Sequence, residues 1–430
     1  MLRLLKKIIP KPVFSFFQPA YHYILALCGA LIYRFPGKKL IVIGITGTKG
    51  KTTSVEITNA VLEAADIKTA IASTLRFKIG DKEERNLFKM TMPGRFFMQK
   101  FLREAVSARC SHAVIEMTSE GAKQFRHKFI YPGIIIFTNL APEHIESHGS
   151  YEKYLQAKLS IARELEGRKD AVIIANMDDR EGEKFLALNI KHKISYSMRD
   201  AIAVKADDRG SSFQVGKLVI HSKLPGIFNV SNMLGVIAYA KFAGISDEII
   251  KKGLENIRLI RGRMEKIDCG QKFDAVVDYA HTPDSLKAIY GAYENHEKIC
   301  VLGSTGGGRD RWKREEMGKI ADKYCDQIIL TNEDPYDEDP YEIMADIKKG
   351  IKKKPCEIIM DRRDAIAEAV RLASITSDSA KTTPDKQARV AVLITGKGTD
   401  PFIMGPNGSK IPWDDASVVR EELKKVLHNT

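Results

Sequence analysis

One segment near the start of the chain constrains the fold more than any other: a glycine-rich turn between an apolar run and a helical pattern. Residues Lys39–Ile45 are rich in β-branched apolar side chains, which is typical of a buried strand. Residues Thr52–Ala65 continue with the periodicity of a helix. The turn between them reads Gly44-Ile45-Thr46-Gly47-Thr48-Lys49-Gly50-Lys51-Thr52-Thr53. Strand, glycine-rich loop and helix in this order predict a phosphate-binding loop.

The residue types in this loop indicate how it would bind phosphate. Glycines let consecutive backbone N–H groups point at phosphate oxygens, and the N-terminus of the next helix adds partial positive charge. We expect Lys51 to pair with the terminal phosphates and Thr52 to place its hydroxyl on Mg²⁺. The residues predicted to bind nucleotide are Gly47, Thr48, Lys49, Gly50, Lys51, Thr52 and Thr53. The loop alone leaves kinases, GTPases and motor proteins open.

Strand and helix patterns alternate along two parts of the chain. The first series of predicted strands continues with Ala113–Met117, Ile134–Thr138 and Ala171–Asn176. The second follows Arg258–Arg263 and comprises Ala275–Asp278, Lys298–Leu302, Gln327–Thr331, Glu357–Met360 and Val390–Thr395. This alternation predicts an α/β fold, in which a P-loop domain with a doubly wound parallel sheet precedes a Rossmann-like α/β domain. We expect a central ATP-binding domain over residues 39–260, a C-terminal domain over residues 261–430 and a short helical segment over residues 1–38.

Two stretches interrupt this alternation. Residues Ala201–Lys223 form short alternating segments with Gly210 and Gly216 at the turns, which predicts a small antiparallel insertion. Residues Ser374–Lys386 are rich in Ser, Thr, Asp and Lys, which predicts an exposed loop or insertion.

Length, charge and cysteine content narrow the class of protein. A chain of 430 residues is too long for one ordinary hydrophobic core. Its formal net charge of +13 fits anionic substrates, anionic lipid or simply solvated basic faces. No zinc-finger spacing or aromatic-basic module accompanies the charge, so nucleic acid is not an expected partner. The six cysteines are scattered, which argues against a zinc site and a disulfide framework and suits a reducing compartment.

The N-terminal segment is apolar and has basic flanks. Residues Val13–Tyr33 carry no formal charge and have a length that could just span a bilayer, but Gln18, Pro19 and His22 interrupt them. No small-residue cleavage site follows, so a secretory signal is not expected. A helix on the inner face of the membrane, in contact through residues 1–35, is our preferred interpretation. The alternatives are a helix packed on the protein and a true span, and in each case the body of the protein stays in the cytoplasm.

Further motifs follow the phosphate loop in a fixed order. Glu116 ends a predicted strand, His144 lies in a loop, and Lys158 shares a helical face with Tyr151 and Tyr154. Singly, each has an ordinary structural interpretation as a cap, a surface residue or a solvated helix residue. The later motifs are Asn176-Met177-Asp178-Asp179, Gly226-Ile227-Phe228-Asn229-Val230-Ser231-Asn232, Gly262-Arg263-Met264-Glu265, Asp278-Tyr279-Ala280-His281-Thr282-Pro283-Asp284, Gly306–Asp310, Gly396-Lys397-Gly398 and Ile411-Pro412-Trp413-Asp414-Asp415. In this order they resemble the Mur ligase family over roughly residues 39–428.

The resemblance implies an ATP-dependent ligase that joins a carboxylate, here of a muramoyl-peptide or related cell-wall precursor, to an amino acid through an acyl phosphate. It implies catalytic roles for Lys51, Glu116, His144 and Lys158. Mg²⁺ would be held by Thr52, Glu116 and His144, and by Lys158 after CO₂ has carbamylated it. Nucleotide contacts are implied at Asn229, Arg263, Asp278 and His281. Substrate contacts are implied at Thr91, Ser119, Arg126, Arg309, Asp334 and Gly396.

Departures from the family pattern concern the substrates. Only about 38 residues precede the P-loop strand, where the family has a domain that grips the UDP-sugar, so we expect an acceptor without UDP or one held differently. Glu120 stands where the family has a histidine, and Thr91-Met92-Pro93 replaces Thr-Thr-Pro. Tyr336 replaces the arginine of Asp-Asn-Pro-Arg, which removes a carboxylate clamp, and Thr399 and Asp400 replace His-Glu. Lysine or another amino acid is therefore at least as well supported as diaminopimelate.

Two other functions stay open. One is a ligase for a different carboxylate, of the polyglutamate or amidating type, although the cysteine spacing cannot build the four-cysteine zinc ribbon of amidating relatives. The other is a membrane-associated ATP-binding protein without catalysis, against which the candidate metal ligands argue.

Overall fold

The P-loop strand lies inside an eight-stranded sheet in the computed structural model, which describes residues 11–143, 145–379 and 389–428. The strands of this sheet are β1 (Ile41–Thr46), β2 (Thr69–Ala72), β3 (Arg76–Ile79), β4 (Lys82–Arg85), β5 (His112–Glu116), β6 (Pro132–Phe137), β7 (Val172–Asn176) and β8 (His192–Tyr196). They lie in the order β4-β3-β2-β5-β1-β6-β7-β8. The pairs from β2 to β8 are parallel, and β3 and β4 form antiparallel pairs at one edge.

Helices cover both faces of this sheet. The helices up to residue 256 are α1 (Lys11–Ile32), α2 (Lys51–Ala64), α3 (Arg95–Ser107), α4 (Ser119–Lys123), α5 (Ile145–His148), α6 (Tyr151–Ala162), α7 (Gly182–Leu186), α8 (Ile227–Phe242) and α9 (Asp247–Asn256). Short 3₁₀ turns span Pro36–Lys39, Arg163–Leu165 and Met198–Asp200. One core packs α3, α6 and α7 on one face, and a second packs α2, α8 and α9 on the other. The doubly wound arrangement is confirmed.

A small antiparallel sheet is inserted before α8. Its strands are β9 (Ile202–Ala206), β10 (Ser211–Val215) and β11 (Leu218–Ser222). The insertion predicted over Ala201–Lys223 is therefore confirmed. Asp208, in the turn after β9, forms an ion pair of 2.7 Å with Arg389, which ties the insertion to the C-terminal part of the chain.

The C-terminal part forms a six-stranded sheet. Its strands are β12 (Glu265–Ile267), β13 (Asp274–Val277), β14 (His296–Leu302), β15 (Gln327–Leu330), β16 (Cys356–Ile358) and β17 (Arg389–Ile394), in the order β12-β13-β17-β14-β15-β16. All pairs are parallel except β12 with β13. The remaining elements are β18 (Phe402–Met404), β19 (Lys410–Pro412), α10 (Pro283–Ala292), α11 (Lys313–Tyr324), α12 (Pro340–Lys348), α13 (Arg362–Ser379), α14 (Asp415–His428) and a 3₁₀ turn over Pro406–Gly408. Helices α10 to α12 pack on one face and α13 with α14 on the other, as in a Rossmann-like domain.

Two expectations from the sequence are wrong in part. Helix α13 continues to Ser379, so the first half of the loop predicted over Ser374–Lys386 is helical, and residues 380–388 lie outside the described part. Cys300 on β14 and Cys325 after α11 form a disulfide. Their separation of 25 residues in the sequence does not predict a disulfide, because only the packing of α11 beside β14 brings the two thiols together.

The N-terminal helix α1 packs by one face on α3. Ala26 and Ala30 are buried, and the Arg103 guanidinium of α3 donates to the carbonyl of Tyr33 at 2.9 Å. The sequence left three interpretations of this helix open: contact with a membrane surface, packing on the protein and a membrane span. One face of the helix packs on the protein. Within the described residues, no helix combines the length and apolar character that a membrane crossing requires.

Candidate nucleotide and metal site

The glycine loop connects β1 to α2, as predicted, and its neighbours leave no room for side chains. A Cβ on Gly47 would lie 1.9 Å from the hydroxyl of Thr138. Gly50 has a φ of 80°, and a Cβ there would lie 2.2 Å from the amide oxygen of Asn232. Only glycine combines this backbone conformation with such close neighbours. The loop is thereby fixed between the end of β6 and helix α8.

Two lysines, the half-buried Lys51 and the buried Lys158, face the backbone of this loop. Lys51 Nζ donates to the carbonyl of Thr48 at 2.8 Å, and Lys158 Nζ donates to the carbonyl of Gly47 at 2.6 Å. Burial lowers the pKa of Lys51. Burial, together with the neighbouring cation of Lys51, holds the pKa of Lys158 well below its usual value. The structure thus brings Lys158 to the P-loop, and its amine is more readily neutral than an exposed lysine.

Glu116 lies at the carboxyl end of β5, directly beside the P-loop. Its Oε2 accepts from the Thr52 hydroxyl at 2.9 Å and from the Thr74 backbone N–H and hydroxyl, each at 2.9 Å. The Thr91 hydroxyl contacts the Thr74 hydroxyl at 2.8 Å. A buried carboxylate beside a threonine hydroxyl is the hard oxygen donor set that Mg²⁺ prefers, so these residues fit that ion. His144, the other predicted metal ligand, lies outside the described residues.

The C-terminal domain reaches the same threonine. Arg263 Nη2 donates to the Thr52 hydroxyl at 3.1 Å, and its guanidinium lies 4.7 Å from the ring centroid of Tyr279. Asp278 accepts from the backbone N–H groups of Met264 and Ala280, both at 2.7 Å, while burial raises its pKa. The predicted nucleotide residue Arg263 therefore contacts the P-loop directly, and Asp278 lies beside it, bound to the backbone of the neighbouring Met264.

His281 and Glu143 form a second bridge between the domains. His281 Nε2 lies 2.9 Å from Glu143, and its Nδ1 lies 2.7 Å from the carbonyl of Tyr279. Burial lowers the pKa of His281 to about 4, so the neutral ring donates to only one of these oxygens near neutral pH. Glu143 also forms an ion pair of 3.3 Å with the P-loop residue Lys49. Asn229 is linked to the loop less directly, since its side chain accepts from Asn232 at 3.2 Å.

An open cleft of about 610 Å³ separates the P-loop from α10 and α11. Thr48 and Lys49 line one wall, and Thr282, Lys287 and Trp312 line the other. The cleft is large enough for a substrate and gives it access to the phosphate loop.

The predicted substrate residues lie on two surfaces, one on the central domain and one on the C-terminal domain, which we call the two substrate walls. On the central domain, Thr91 joins Glu116 through Thr74, Ser119 is buried in the first turn of α4, and Arg126 donates to the Met92 carbonyl. On the C-terminal domain, the predicted residues are Arg309, Asp334 and Gly396. Arg309 donates to the hydroxyl of Tyr336 at 3.3 Å. Gly396 has a φ of 106°, and a Cβ there would lie 2.4 Å from a carboxylate oxygen of Glu333.

Lys89 connects the two walls. It lies after β4 and donates to Asp334 at 2.6 Å, with Asp400 at 3.3 Å. Lys397 binds the same two carboxylates at 2.8 and 3.1 Å. Two acidic and two basic groups thus share one largely buried cluster, which we call the Asp334 cluster (Lys89, Asp334, Lys397, Asp400).

Glu120, where the sequence departs from the family, is offset by basic neighbours. Its carboxylate lies 3.2 Å from His148 Nε2, and Ser147 donates to it. The contact with His148 lowers the pKa of Glu120 to about 2. The nearby cation of Lys123 also favours the ionised carboxylate, so the negative charge of Glu120 is partly compensated.

Sequence reasoning missed three residues of the site. Thr74 lies in a turn without a motif. Lys89 is 245 residues from its partner Asp334, so no local pattern could pair them. Glu143 did carry a signal, because it directly precedes His144 in the loop that the family resemblance singled out.

Comparison with known proteins agrees with this geometry. Residues 45–240 match the Mur ligase middle domain, and residues 262–398 match the Mur ligase glutamate ligase domain. A UDP-N-acetylmuramoyl-L-alanyl-D-glutamate–2,6-diaminopimelate ligase of Syntrophomonas wolfei is 35% identical over 416 residues, which cover 93% of this chain and 81% of the relative. A UDP-N-acetylmuramyl-tripeptide synthetase of Roseiflexus is 32% identical, with 96% and 84% covered.

Solved structures show the same architecture. A UDP-N-acetylmuramoyl-L-alanyl-D-glutamate–2,6-diaminopimelate ligase has a TM-score of 0.59 at 27% identity and covers 91% of this chain and 79% of its own. Folylpolyglutamate synthase of Mycobacterium tuberculosis has a TM-score of 0.68 at 15% identity, with 95% of each chain covered, and shares the fold. The chain belongs to the Mur ligase family, a family of ATP-dependent ligases that use Mg²⁺.

Proposed function

We propose that this protein joins an amino acid to the carboxylate of a muramoyl-peptide or a related cell-wall precursor, with ATP converted to ADP and phosphate. One observation carries the proposal. The Thr52 hydroxyl donates to Glu116 of the central domain and accepts from Arg263 of the C-terminal domain. Both domains thus build one site around the P-loop, which is what phosphoryl transfer followed by attack of a second substrate requires.

The chemistry has two steps. A carboxylate oxygen of the acceptor attacks the γ-phosphorus of ATP, and the bond from that phosphorus to the β-phosphate oxygen breaks. ADP is the leaving group, and the acceptor becomes an acyl phosphate. The amine of the amino acid then attacks the acyl carbon, loses a proton and expels phosphate. Lys51 and the backbone N–H groups of the P-loop stabilise the transferred phosphoryl group. Mg²⁺, when bound at Thr52 and Glu116, neutralises charge on the phosphate oxygens.

We propose that Lys158 acts as a carbamate. Its neutral amine nitrogen forms a bond to the carbon of CO₂ while one C–O π bond opens, and the nitrogen then loses a proton. An anionic carbamate oxygen thereby replaces the amine beside the P-loop. Burial and the adjacent Lys51 support the proposal, because both favour the neutral amine that must react. The contact with the Gly47 carbonyl at 2.6 Å places the nitrogen at the loop itself.

For the incoming amino acid we propose one with a second amino group and no second carboxylate, such as lysine or ornithine. With Lys89 in place the Asp334 cluster is electrically balanced, and without it the cluster has a net charge of −1. An ammonium group of the substrate can therefore take the place of Lys89. Tyr336 cannot provide the bidentate grip on a second carboxylate that an arginine provides.

The test is ATP-dependent phosphate release by the full chain with UDP-linked and lipid-linked muramoyl-dipeptides. Each acceptor is combined with lysine, ornithine, diaminopimelate or glutamate. Release that requires one acceptor together with lysine or ornithine supports the proposal, and release of ADP in equal amount supports the stoichiometry. Faster release with diaminopimelate would refute the assignment of the Asp334 cluster. Since the reaction consumes ATP, we place it in the cytoplasm.

Two variants control this assay. Lys51→Ala removes the lysine that we assign to the terminal phosphates, so we expect no release above background. Lys82→Ala, an exposed lysine in β4, should leave the rate unchanged.

A further inference from the structure

Helix α1 exposes an apolar stripe on the side opposite its packed face. Phe17, Tyr21, Ile24, Cys28 and Leu31 follow each other at steps of four, three, four and three residues. At about 100° per residue they fall within an arc of roughly 80° on the helix. The exposed fractions of Tyr21, Ile24 and Leu31 are 40%, 56% and 56%, and that of the adjacent Ile32 is 64%.

The opposite side of the same helix holds it to the protein. Ala26 and Ala30 are buried, and Gly29 lies within 3.6 Å of the Phe96 backbone, as measured from an ideal Cβ. The Tyr23 ring packs edge-on against Phe129 at 5.4 Å. The stripe is therefore held on the outside of a packed helix, and its exposure does not depend on the helix leaving the body of the protein.

The charges of the residues around α1 indicate which kind of partner covers this stripe. The sequence contains no Asp or Glu before Glu56. At the C-terminal end of α1, the side chains of Arg34, Lys38 and Lys39 are exposed. An apolar stripe with basic residues at its end is the pattern of a helix that lies in the plane of an anionic membrane surface.

A second copy of the chain fits this stripe less well. The sequence is also basic at the start of α1 and just before it, at Lys6, Lys7 and Lys11. Two such faces in contact, in either relative direction, would therefore bring basic residues of both chains close together, without an acidic side chain from this segment to balance them. Like charges without intervening counter-charges oppose such a contact. On a membrane, anionic headgroups supply the counter-charges for these basic residues, and the apolar part of the lipid covers the apolar side chains.

We propose that this stripe, through its exposed members Tyr21, Ile24 and Leu31, docks the protein in-plane on an anionic lipid surface. The contact needs neither ATP nor an active ligase site, so it stands or falls separately from the proposed reaction. It places the enzyme beside lipid headgroups, where a lipid-linked acceptor would be concentrated.

The test is co-sedimentation of the full chain with vesicles of phosphatidylcholine, with and without phosphatidylglycerol. We expect binding to the vesicles that contain phosphatidylglycerol, weakened by salt. The double variant Ile24→Ser and Leu31→Ser should lower the partition coefficient at least about tenfold. The matched control, Ile202→Ser and Leu259→Ser, changes two side chains that are 59% and 52% exposed elsewhere and should bind as the wild type does.

Charge is tested in the same assay. Lys39→Glu should weaken binding, while Lys217→Glu, in the turn between β10 and β11, should weaken it less. Unchanged vesicle binding by the Ile24→Ser and Leu31→Ser variant would overturn the proposal. So would a wild-type dimer in sedimentation velocity that this variant dissociates while vesicles are not bound, because the occupant would then be a second copy.

Discussion

Replacement of Lys158 by alanine tests the proposed carbamate most directly. An amine with the ordinary pKa of 10.5 is neutral in about one molecule in three thousand at pH 7. Each unit by which the pKa falls raises that fraction about tenfold. Because burial and Lys51 lower the pKa of Lys158, its neutral fraction at pH 7 is larger than that of an exposed lysine, and the reaction with CO₂ should slow as the pH falls.

The assay measures ATP-dependent phosphate release at fixed acceptor and amino acid. We expect Lys158→Ala to lower kcat at least about a hundredfold, since loss of an anionic metal ligand costs more than loss of its outer support. Lys153→Ala, an exposed lysine on the same helix, should retain full activity. Wild-type activity should fall in buffer stripped of CO₂ and return with bicarbonate, whereas bicarbonate should not rescue the alanine variant.

A spectroscopic measurement separates the carbamate from a merely structural lysine. With ¹³C-labelled bicarbonate, the wild type should show a carbamate carbon signal that Lys158→Ala lacks and Lys153→Ala keeps. Equal signals in all three proteins, or wild-type activity that does not respond to CO₂ removal, would refute the reasoning about Lys158.

Other perturbations test the fold around the site. Arg263→Ala should lower kcat by about a hundredfold, measured by phosphate release, because the guanidinium that the C-terminal domain brings to the P-loop would no longer stabilise charge on the phosphate. Gly50→Ala should weaken ATP binding at least about tenfold in calorimetry, while Gly216→Ala, also at positive φ but with open space around it, should not. Burial lowers the pKa of His127 to about 3, so the unfolded chain binds more protons below pH 6.5. The free energy of unfolding should therefore fall by about 2 kcal/mol between pH 7 and pH 5 in chemical denaturation, and less in His127→Gln.

The parts of the fold that depend on local pattern were predictable. The strand predicted over Ala113–Met117 is observed over His112–Glu116, and the shift of one residue still leaves Glu116 at the strand end. Apolar runs and glycine turns are local signals, so they locate strands and loops without knowledge of the tertiary structure. The ends of parallel strands then meet at one edge of the sheet, which is why the motifs at the ends of β1 and β5 converge.

Contacts between distant segments were not predictable from the same pattern. Thr74 reaches Glu116 because β2 pairs with β5, and that pairing cannot be read from a turn without a motif. The Cys300–Cys325 disulfide and the contact of Lys89 with Asp334 likewise depend on tertiary packing. The selectivity for an amino acid was the property hardest to predict from the sequence. Lys89 of the central domain sets the charge of the Asp334 cluster, and the other three members of that cluster come from the C-terminal domain.

The side chains that form the contacts between the two domains include those that we propose bind the nucleotide, Mg²⁺ and the amino acid. Arg263 donates to Thr52, His281 contacts Glu143, and Lys89 donates to Asp334. A nucleotide or amino acid that binds these groups must replace one protein contact with a contact to the ligand. Part of its binding energy is then used to rearrange the domain interface, which lowers apparent affinity and couples occupancy to domain position. Weakening an interdomain contact that no ligand replaces, such as that of Asp208 with Arg389, should therefore alter domain position without altering which substrates are accepted.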